Sequence, residues 1–397
     1  MSGAHRKSLL YASPFPPMAS GISDYSEVLI YGLKRYFDIT LLIDDYRLTN
    51  KRLYKDFDVK IYKNNPRVLN SFDFRIYNMG NNPEFHDYIY EAALVCPGLI
   101  ILHDVVLYYL IIGFYQNKGL LYSKIYEMVG AWGSHLIKRP IRCGDNLLEC
   151  KELAPYLPLN SEVLKSGNKI MVHSDYAYQK ISGMVKEPDR IKKINMIDHV
   201  ASVRNENSFI EKGVLFHKYG IPENALILGS FGYIDKTKLN HLICQAVTSL
   251  NEKFENQLVY LMVGEGNYVD TYLGPHIRKT GYVDLAEFNS FIKYVDVVIN
   301  LRYPSMGETS GAMIRALGLG KSCIVSDDAW FSELPDDVVI KVKNERIDQE
   351  LYESLLRLLE NPDLMEELSH KAKTYIRSEH GVEKISKEIA DFMVGRG

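Results

Sequence analysis

Cysteine is scarce in this sequence and never paired at short range. Cys96, Cys143, Cys150, Cys244 and Cys323 form no CxxC motif. An odd, scattered set excludes a disulfide scaffold and a zinc site built on cysteine pairs, and it fits a reducing compartment. Excess charge of either sign is also missing. The 47 Lys and Arg residues against 50 Asp and Glu leave a net charge of −3, so no global field favours nucleic acid, and no nucleic-acid partner is expected. Long hydrophobic runs are absent too. The longest, 105–115, has 11 residues, whereas a bilayer span takes about 20. Near the start, 8–12 (SLLYA) run directly into Pro14, Pro16 and Pro17, too short for the apolar region of a secretion signal. A soluble, cytoplasmic protein is the expectation. No GxGxxG follows the first strand-like segment, so a nicotinamide fingerprint is unsupported. No DxD-type metal signature appears; Asp327-Asp328 and Asp336-Asp337 read as loop charges, and no metal is expected. No paired-carboxylate hydrolase can be assigned from spacing. Internal repeats and low-complexity segments are missing as well.

What is present is a globular composition. The chain has 397 residues, 46% of them hydrophobic, enough for two or three domains with real cores. Its 28 tyrosines fit either surplus core packing or a carbohydrate- or membrane-facing surface. Short apolar runs alternate with amphipathic stretches. Strands are expected at 8–12, 39–43, 75–78, 99–102 and 169–173, with helices at about 22–36 and 176–184. The pattern then restarts, with strands at 226–231, 258–263, 297–301 and 322–325 and helices at 238–254, 285–293, 311–318, 348–360 and 363–379. Nearly continuous apolar strands between helices argue for α/β architecture: two doubly wound parallel sheets in series, covered on both faces. The boundary is expected in the polar stretch 201–212, after a strand-like 193–197. That gives units 1–200 and 201–380, with a last helix in 381–397 returning to the first. Ligands of such sheets bind beyond the C-terminal strand ends, and two sheets facing each other would form a deep cleft.

Five segments can carry chemistry. SPFPPMASGISD, 13–24, joins the first strand to the first helix. Gly21 permits close backbone approach, and the free N–H groups of the helix start can face an anion or sugar oxygens; the other reading is a plain turn capped by Ser23. In LHD, 102–104, His103 ends a strand and can bond a sugar hydroxyl or phosphate, oriented by Asp104, or it is a satisfied structural histidine. In FGYIDKTK, 231–238, Gly232 lets the chain turn. Lys238 can neutralise a diphosphate; as a cation at a helix start it opposes the dipole, which an anionic ligand would relieve, unless it is simply solvated. The segment 300–321 runs from Arg302 through Gly307, Glu308, Thr309, Ser310 and Gly311 to Arg315. Thr309 or Ser310 caps the helix and leaves amides for phosphate, Glu308 can accept from sugar hydroxyls, and Arg315 extends a long fork from the helix. The alternative is a capped helix with a surface Glu–Arg pair. TGYV, 280–283, offers backbone groups to a base edge, or is only a loop.

In order, SPFPP…SGIS, LHD, VHSDYA (172–177), FGYIDKTK, MVGEG (262–266), TGYV and GETSGAMIRALGLGKSCIVSD (307–327) make most of the chain resemble a retaining, nucleotide-sugar-dependent glycosyltransferase of the GT-B fold, similar to glycosyltransferase family four. The resemblance implies two Rossmann-like units facing a central cleft, acceptor in the N-terminal unit and nucleotide sugar in the C-terminal one. It implies Gly21 near the donor phosphates or acceptor and His103 near the transferred sugar. It implies Lys238 on the diphosphate, in a loop with Gly232 and Tyr233, and Tyr282 and Val283 beside the base. Glu308 and the amides of Thr309, Ser310 and Gly311 would meet sugar and phosphate. His103, Glu308 and Lys238 are the catalytic candidates. No cofactor beyond the nucleoside-diphosphate sugar is implied. The implied partners are that donor and a saccharide or lipid-linked saccharide acceptor, with peripheral contact at the inner membrane face and a role in surface polysaccharide or glycoconjugate synthesis. Two positions depart from the family pattern. Its second glutamate is Arg315 here, with Glu308 one place after the first. The arginine that often precedes the phosphate lysine is Tyr233. Arg302 or Arg315 is then expected to supply the missing positive charge. Two other readings remain: an epimerase or phosphorylase on the same fold, and a non-catalytic sugar-nucleotide-binding partner of another transferase.

Overall fold

The computed structural model describes residues 6–395 except 64, 201–208 and 255–256, so most of the linker expected in 201–212 lies outside the described residues. Two units emerge from the packing. The first comprises Met1–Ile197, Met306–Thr309 and Val382–Gly397; the second comprises Asp198–Ser305 and Ser310–Gly381.

The first unit carries β1 (Lys7–Ala12), β2 (Phe37–Ile43), β3 (Asp58–Ile61), β4 (Phe74–Met79), β5 (Leu99–Leu102), β6 (Lys169–Val172) and β7 (Ile191–Lys193). They form one sheet in the order β3-β2-β1-β4-β5-β6-β7, with every pairing parallel. Parallel neighbours need long crossovers, which the helices supply. Every residue of β5 is buried, which is why the sequence shows an unbroken apolar run there. The apolar run 105–115 falls mainly in a helix, Tyr108–Asn117, with Tyr108, Leu110, Ile111, Ile112, Gly113, Phe114 and Tyr115 all buried. A helix wrapped on every side loses the apolar stripe that would reveal it. The strand expected at 193–197 is shorter and earlier. After β7, Ile194 still donates its N–H to the Val172 carbonyl at 2.9 Å, and then the chain leaves the sheet. The helix Val382–Val394 packs on Gly21–Leu33. Their crossing is close enough that a Cβ on Gly32 would lie 2.0 Å from Ser386 Oγ.

The second unit carries β8 (Leu226–Phe231), β9 (Leu258–Val263), β10 (Ile277–Lys279), β11 (Val297–Asn300), β12 (Ser322–Ser326) and β13 (Ile340–Val342), in the order β10-β9-β8-β11-β12-β13. All are parallel. The helix expected at 238–254 begins later. Lys236–Lys238 is a 3-10 turn, capped where Asp235 accepts the Thr237 N–H, and Leu239 takes a left-handed φ of 52° before Asn240–Lys253 begins. Lys238 therefore sits in a turn ahead of the helix. Among the described residues no helix is long and apolar enough to cross a membrane.

One buried group ties the first unit to pH. His86, 1% exposed, donates Nδ1–H to the Asn82 carbonyl at 3.0 Å. Burial pulls its pKa down from 6.5 to about 4. The imidazole is neutral when folded and protonates on unfolding below pH 6.5. Unfolding therefore takes up a proton between pH 6.5 and 4, and stability falls as pH drops through that window, by up to about 3 kcal/mol. Its neighbour Asp87, pushed up to about 6 by burial, acts in the opposite direction. The expected result is that His86→Gln loses less stability than the natural chain between pH 7 and pH 4 in urea unfolding. Parallel curves would refute it.

Candidate functional site

In a doubly wound sheet the strand order reverses at one point, and helices on either side of it diverge and leave a crevice beyond the strand ends. In the second unit that point lies between β8 and β11, which are neighbours although β9 and β10 intervene in sequence. The loops leaving these two strands carry the 231–238 and 300–311 segments, so topology brings together residues some seventy positions apart.

Beneath the loops, a chain of buried polar contacts joins three strands. Asn240 Nδ2 donates to Tyr260 Oη at 2.6 Å, Tyr260 donates to Ser230 Oγ at 2.9 Å, and Ser230 donates to the Ile299 carbonyl at 2.7 Å. Above it, Gly232 turns at φ 89°, and a Cβ there would stand 3.0 Å from Lys238 Nζ. The missing side chain is what lets the ammonium fold back to donate to the Phe231 carbonyl at 2.5 Å. Arg302 approaches the same turn from β11. Its Nη1 donates to Thr237 Oγ1 at 3.1 Å, its backbone N–H donates to Ser326 Oγ at 2.9 Å, and the next N–H, of Tyr303, donates to the Thr237 carbonyl at 2.8 Å. A guanidinium and an ammonium thus hold the two ends of one loop, Arg302 at Thr237 and Lys238 at the Phe231 carbonyl.

The MVGEG segment supports this loop from behind. Gly232 N–H donates to the Val263 carbonyl at 2.9 Å, and Ile234 N–H donates to the Glu265 carbonyl at 2.5 Å. Gly264 has φ 152°, and its Cβ would fall 2.2 Å from the Gly232 carbonyl oxygen; Gly266, at φ 138°, would meet the Ile234 oxygen at 2.0 Å. Two backbones therefore touch with no room for a methyl group on either glycine.

Ser310 caps the helix Gly311–Gly318, accepting the Met313 N–H at 3.2 Å, and is itself fixed by Asn300 Nδ2 at 2.8 Å. Asn300 is the last residue of β11, so strand end and helix start are locked together. Tyr233 and Tyr282 project to solvent, 63% and 66% exposed, with Val283 buried behind Tyr282 in the chain. Arg315 lies elsewhere. It is 4% exposed, and its Nη1 donates to Asn289 Oδ1 at 3.2 Å, against the helix Leu285–Tyr294. Of the two arginines expected to replace a missing cation, Arg302 adjoins the Lys238 turn and Arg315 is set in the interior.

The first unit holds the other expected residues. Gly21 opens the helix Gly21–Leu33 with nothing within 4 Å of the position its Cβ would take. The cap is Ser20, which accepts the Ile22 N–H, and not Ser23, which is buried on the inner side of the helix. His103 follows β5 and is oriented by Asn78. Because Asn78 Nδ2 faces the Ala12 carbonyl at 3.2 Å, its Oδ1 is the end that meets His103 Nε2 at 3.1 Å. A carbonyl can only accept, so the proton of a neutral His103 is on Nε2. Asp104, expected to orient His103, accepts the Asn81 N–H at 3.1 Å. Two residues not singled out from the sequence join this cluster. The Tyr25 ring lies edge-on, 4.8 Å from His103, and the His173 ring is 5.0 Å away. His173 donates Nδ1–H to the Ile194 carbonyl at 3.0 Å. The signal was available: His173 follows β6 as His103 follows β5. Met306–Thr309 packs with this unit. There Glu308 Oε2 accepts the Met306 N–H at 2.8 Å, Thr309 is buried, and Gly307 turns at φ 85°.

No family model matches the chain. An uncharacterized glycosyltransferase of Methanocaldococcus jannaschii is 25% identical over 178 residues, covering 42% of this chain and 44% of the relative. The match thus spans less than half the length of that relative. Among solved structures, Anabaena HepE in complex with UDP-glucose aligns with a TM-score of 0.68 at 11% identity, over 98% of this chain and 100% of that one. WaaG, a glycosyltransferase involved in lipopolysaccharide biosynthesis, aligns with a TM-score of 0.63 at 14% identity over the same shares. Sucrose-phosphate synthase from Thermosynechococcus elongatus aligns with a TM-score of 0.61 at 13% identity, over 98% of this chain and 99% of that one. With its two parallel-sheet α/β units matched end to end, the chain has the GT-B fold. A fold at this level of identity does not by itself carry an activity.

Proposed function

We propose that the chain is a glycosyltransferase that moves a sugar from a nucleoside-diphosphate sugar to a saccharide or lipid-linked saccharide acceptor, with retention of configuration and without a metal ion, in line with its resemblance to glycosyltransferase family four. The observation that carries the reading is that Lys238 and Arg302 both bond the 231–238 loop, at Phe231 and Thr237, at the switch point of the second sheet. In transfer, the bond from the anomeric carbon to the diphosphate breaks with its electron pair going to phosphate oxygen. Positive charge spreads over the sugar ring while the acceptor oxygen bonds the same carbon. The released phosphate oxygen takes the acceptor proton on that face, which gives retention. Lys238, Arg302 and the amides beside Ser310 and Gly311 stabilise the growing negative charge electrostatically. Gly232 keeps Lys238 in place. Tyr282, Val283 and Tyr233 border the base and ribose. The first unit takes the acceptor, and the family resemblance assigns Gly21, His103 and Glu308 to acceptor or sugar. A role in surface polysaccharide or glycoconjugate synthesis at the inner membrane face completes the reading.

HepE was solved with UDP and with UDP-glucose, so UDP-sugars are the first donors to test. In a thermal-shift screen of UDP-, GDP-, ADP- and TDP-sugars, one base class is expected to raise the melting point. Saturation at a hundred times Kd adds about 2.7 kcal/mol, worth roughly 5 to 10 °C for a unit of this size. A flat response to all four would remove the reading. A second reading, a non-catalytic sugar-nucleotide binder, draws on Arg315, which stands where the family has its second glutamate and is set in the interior. Donor binding with no turnover across an acceptor panel would favour it.

A further inference from the structure

The segment between Glu127 and Asp145 has no acidic residue. It forms the second half of the helix Leu121–Cys143, after a break at Gly130 with φ 69° and ψ −162°. One face looks inward: Gly133 and Ile137 are buried, and Leu136 and Ile141 pack on the core of the first unit. The other face carries Trp132, His135, Lys138, Arg139 and Arg142, all exposed. Trp132, His135, Arg139 and Arg142 follow one another at intervals of three, four and three, the spacing of a single helical stripe. Elsewhere in this region cations are matched: Lys124 pairs with Glu127 and Glu162, and Lys118 with Glu91. Among the described residues Lys138, Arg139 and Arg142 have no ion pair. Trp132, 55% exposed, stands at the N-terminal end of this basic stripe. A cavity of about 560 Å³ lies alongside, lined in part by Leu121, Tyr122, Ile141 and Leu147, and Ile141 is the chain neighbour of Arg142.

We propose that this face docks the chain on an anionic phospholipid surface. Charge complementarity sets the occupant. The chain as a whole is at −3, so net charge would repel such a surface, and only a local, unmatched group of cations can bind it. The indole identifies the surface as a membrane, because tryptophan gains from the boundary between headgroups and acyl chains, which a soluble polyanion does not offer. Lysine and arginine near the headgroups each strengthen binding about fivefold, equivalent to about 1 kcal/mol. The inference deepens the lipid-linked arm of the proposed function and rests on it for its purpose, but not for its measurement.

The test uses the full chain without sugar nucleotide. Vesicles of phosphatidylcholine alone are compared with vesicles containing added phosphatidylglycerol. Binding is expected only to the second, weakening as salt is raised. The chain has two tryptophans, and Trp330 is 4% exposed. A blue shift of the emission on vesicle addition therefore reports Trp132. Charge reversal at Lys138→Glu, Arg139→Glu and Arg142→Glu together is expected to reduce vesicle affinity by on the order of a hundredfold or more with an unchanged melting point, since all three are exposed. No binding to phosphatidylglycerol vesicles, or equal binding by the triple variant, would overturn the proposal. Equal affinity for soluble dextran sulfate with no blue shift would overturn it too. The donor screen on the same samples keeps the outcomes apart. Lost vesicle binding with an intact donor response rejects the docking face alone, and the reverse rejects the transferase reading alone.

Discussion

Lys238→Ala is expected to lower kcat/KM for the nucleotide sugar by about two to three orders of magnitude, mostly in kcat. The ammonium sits on the Phe231 carbonyl in the room left by Gly232, so it is held in place before any ligand arrives. Binding of the diphosphate gains from it in the ground state. The leaving diphosphate gains more, because its charge grows as the glycosidic bond breaks, and only the difference between the two states appears in kcat. Arg302→Ala should cost less, about tenfold to a hundredfold, because part of its work is to hold Thr237. Arg315→Ala should leave the donor KM unchanged and lower the melting point instead, since it removes a buried partner of Asn289. Steady-state kinetics with each variant's melting curve separates these effects. Unchanged kcat/KM in Lys238→Ala would sink the site assignment, whatever the other two do.

Gly264→Ala is the second large effect, and it acts through backbone geometry. The new methyl group would sit 2.2 Å from the Gly232 carbonyl oxygen, at φ 152°. That atom belongs to main chain, so no side chain can swing aside. One of two strand-end loops must move, and the Gly232–Val263 hydrogen bond goes with it. A loss of about 3 kcal/mol is expected, which for a unit of this size lowers the melting point by roughly 6 to 12 °C. Displacement of the 231–238 loop should also remove the thermal response to the donor. Gly21→Ala is the control, because nothing lies within 4 Å of its Cβ position. It should leave the melting point unmoved. Equal melting points for Gly264→Ala and the natural chain would show that the loops have slack the structure does not indicate.

The strands were legible because parallel sheets buried on both faces print themselves as apolar runs, as at β5, β8 and β9. The segment 105–115 was not, since a helix buried all round has no polar face to set its period. Lys238 could be placed near a helix start from its spacing, but the left-handed turn at Leu239 that separates it from the helix depends on Asp235 and on Arg302, a distant residue. The orienting partner of His103 proved to be Asn78, which lies one strand away and twenty-five residues back. Asp104, the neighbour in sequence, accepts the Asn81 N–H.

Residue by residue, the chain's own letters determined its α/β class, the two repeated sheets and the loops that carry its chemistry, because burial and turn formation are local demands that each segment must satisfy alone. Tertiary structure decided which of those loops meet. It set Arg302 beside the Lys238 turn and Arg315 in the interior, and it pressed Gly264 against Gly232. Strand order and the register of parallel pairing settle such distances, and neither is written in any one stretch of sequence.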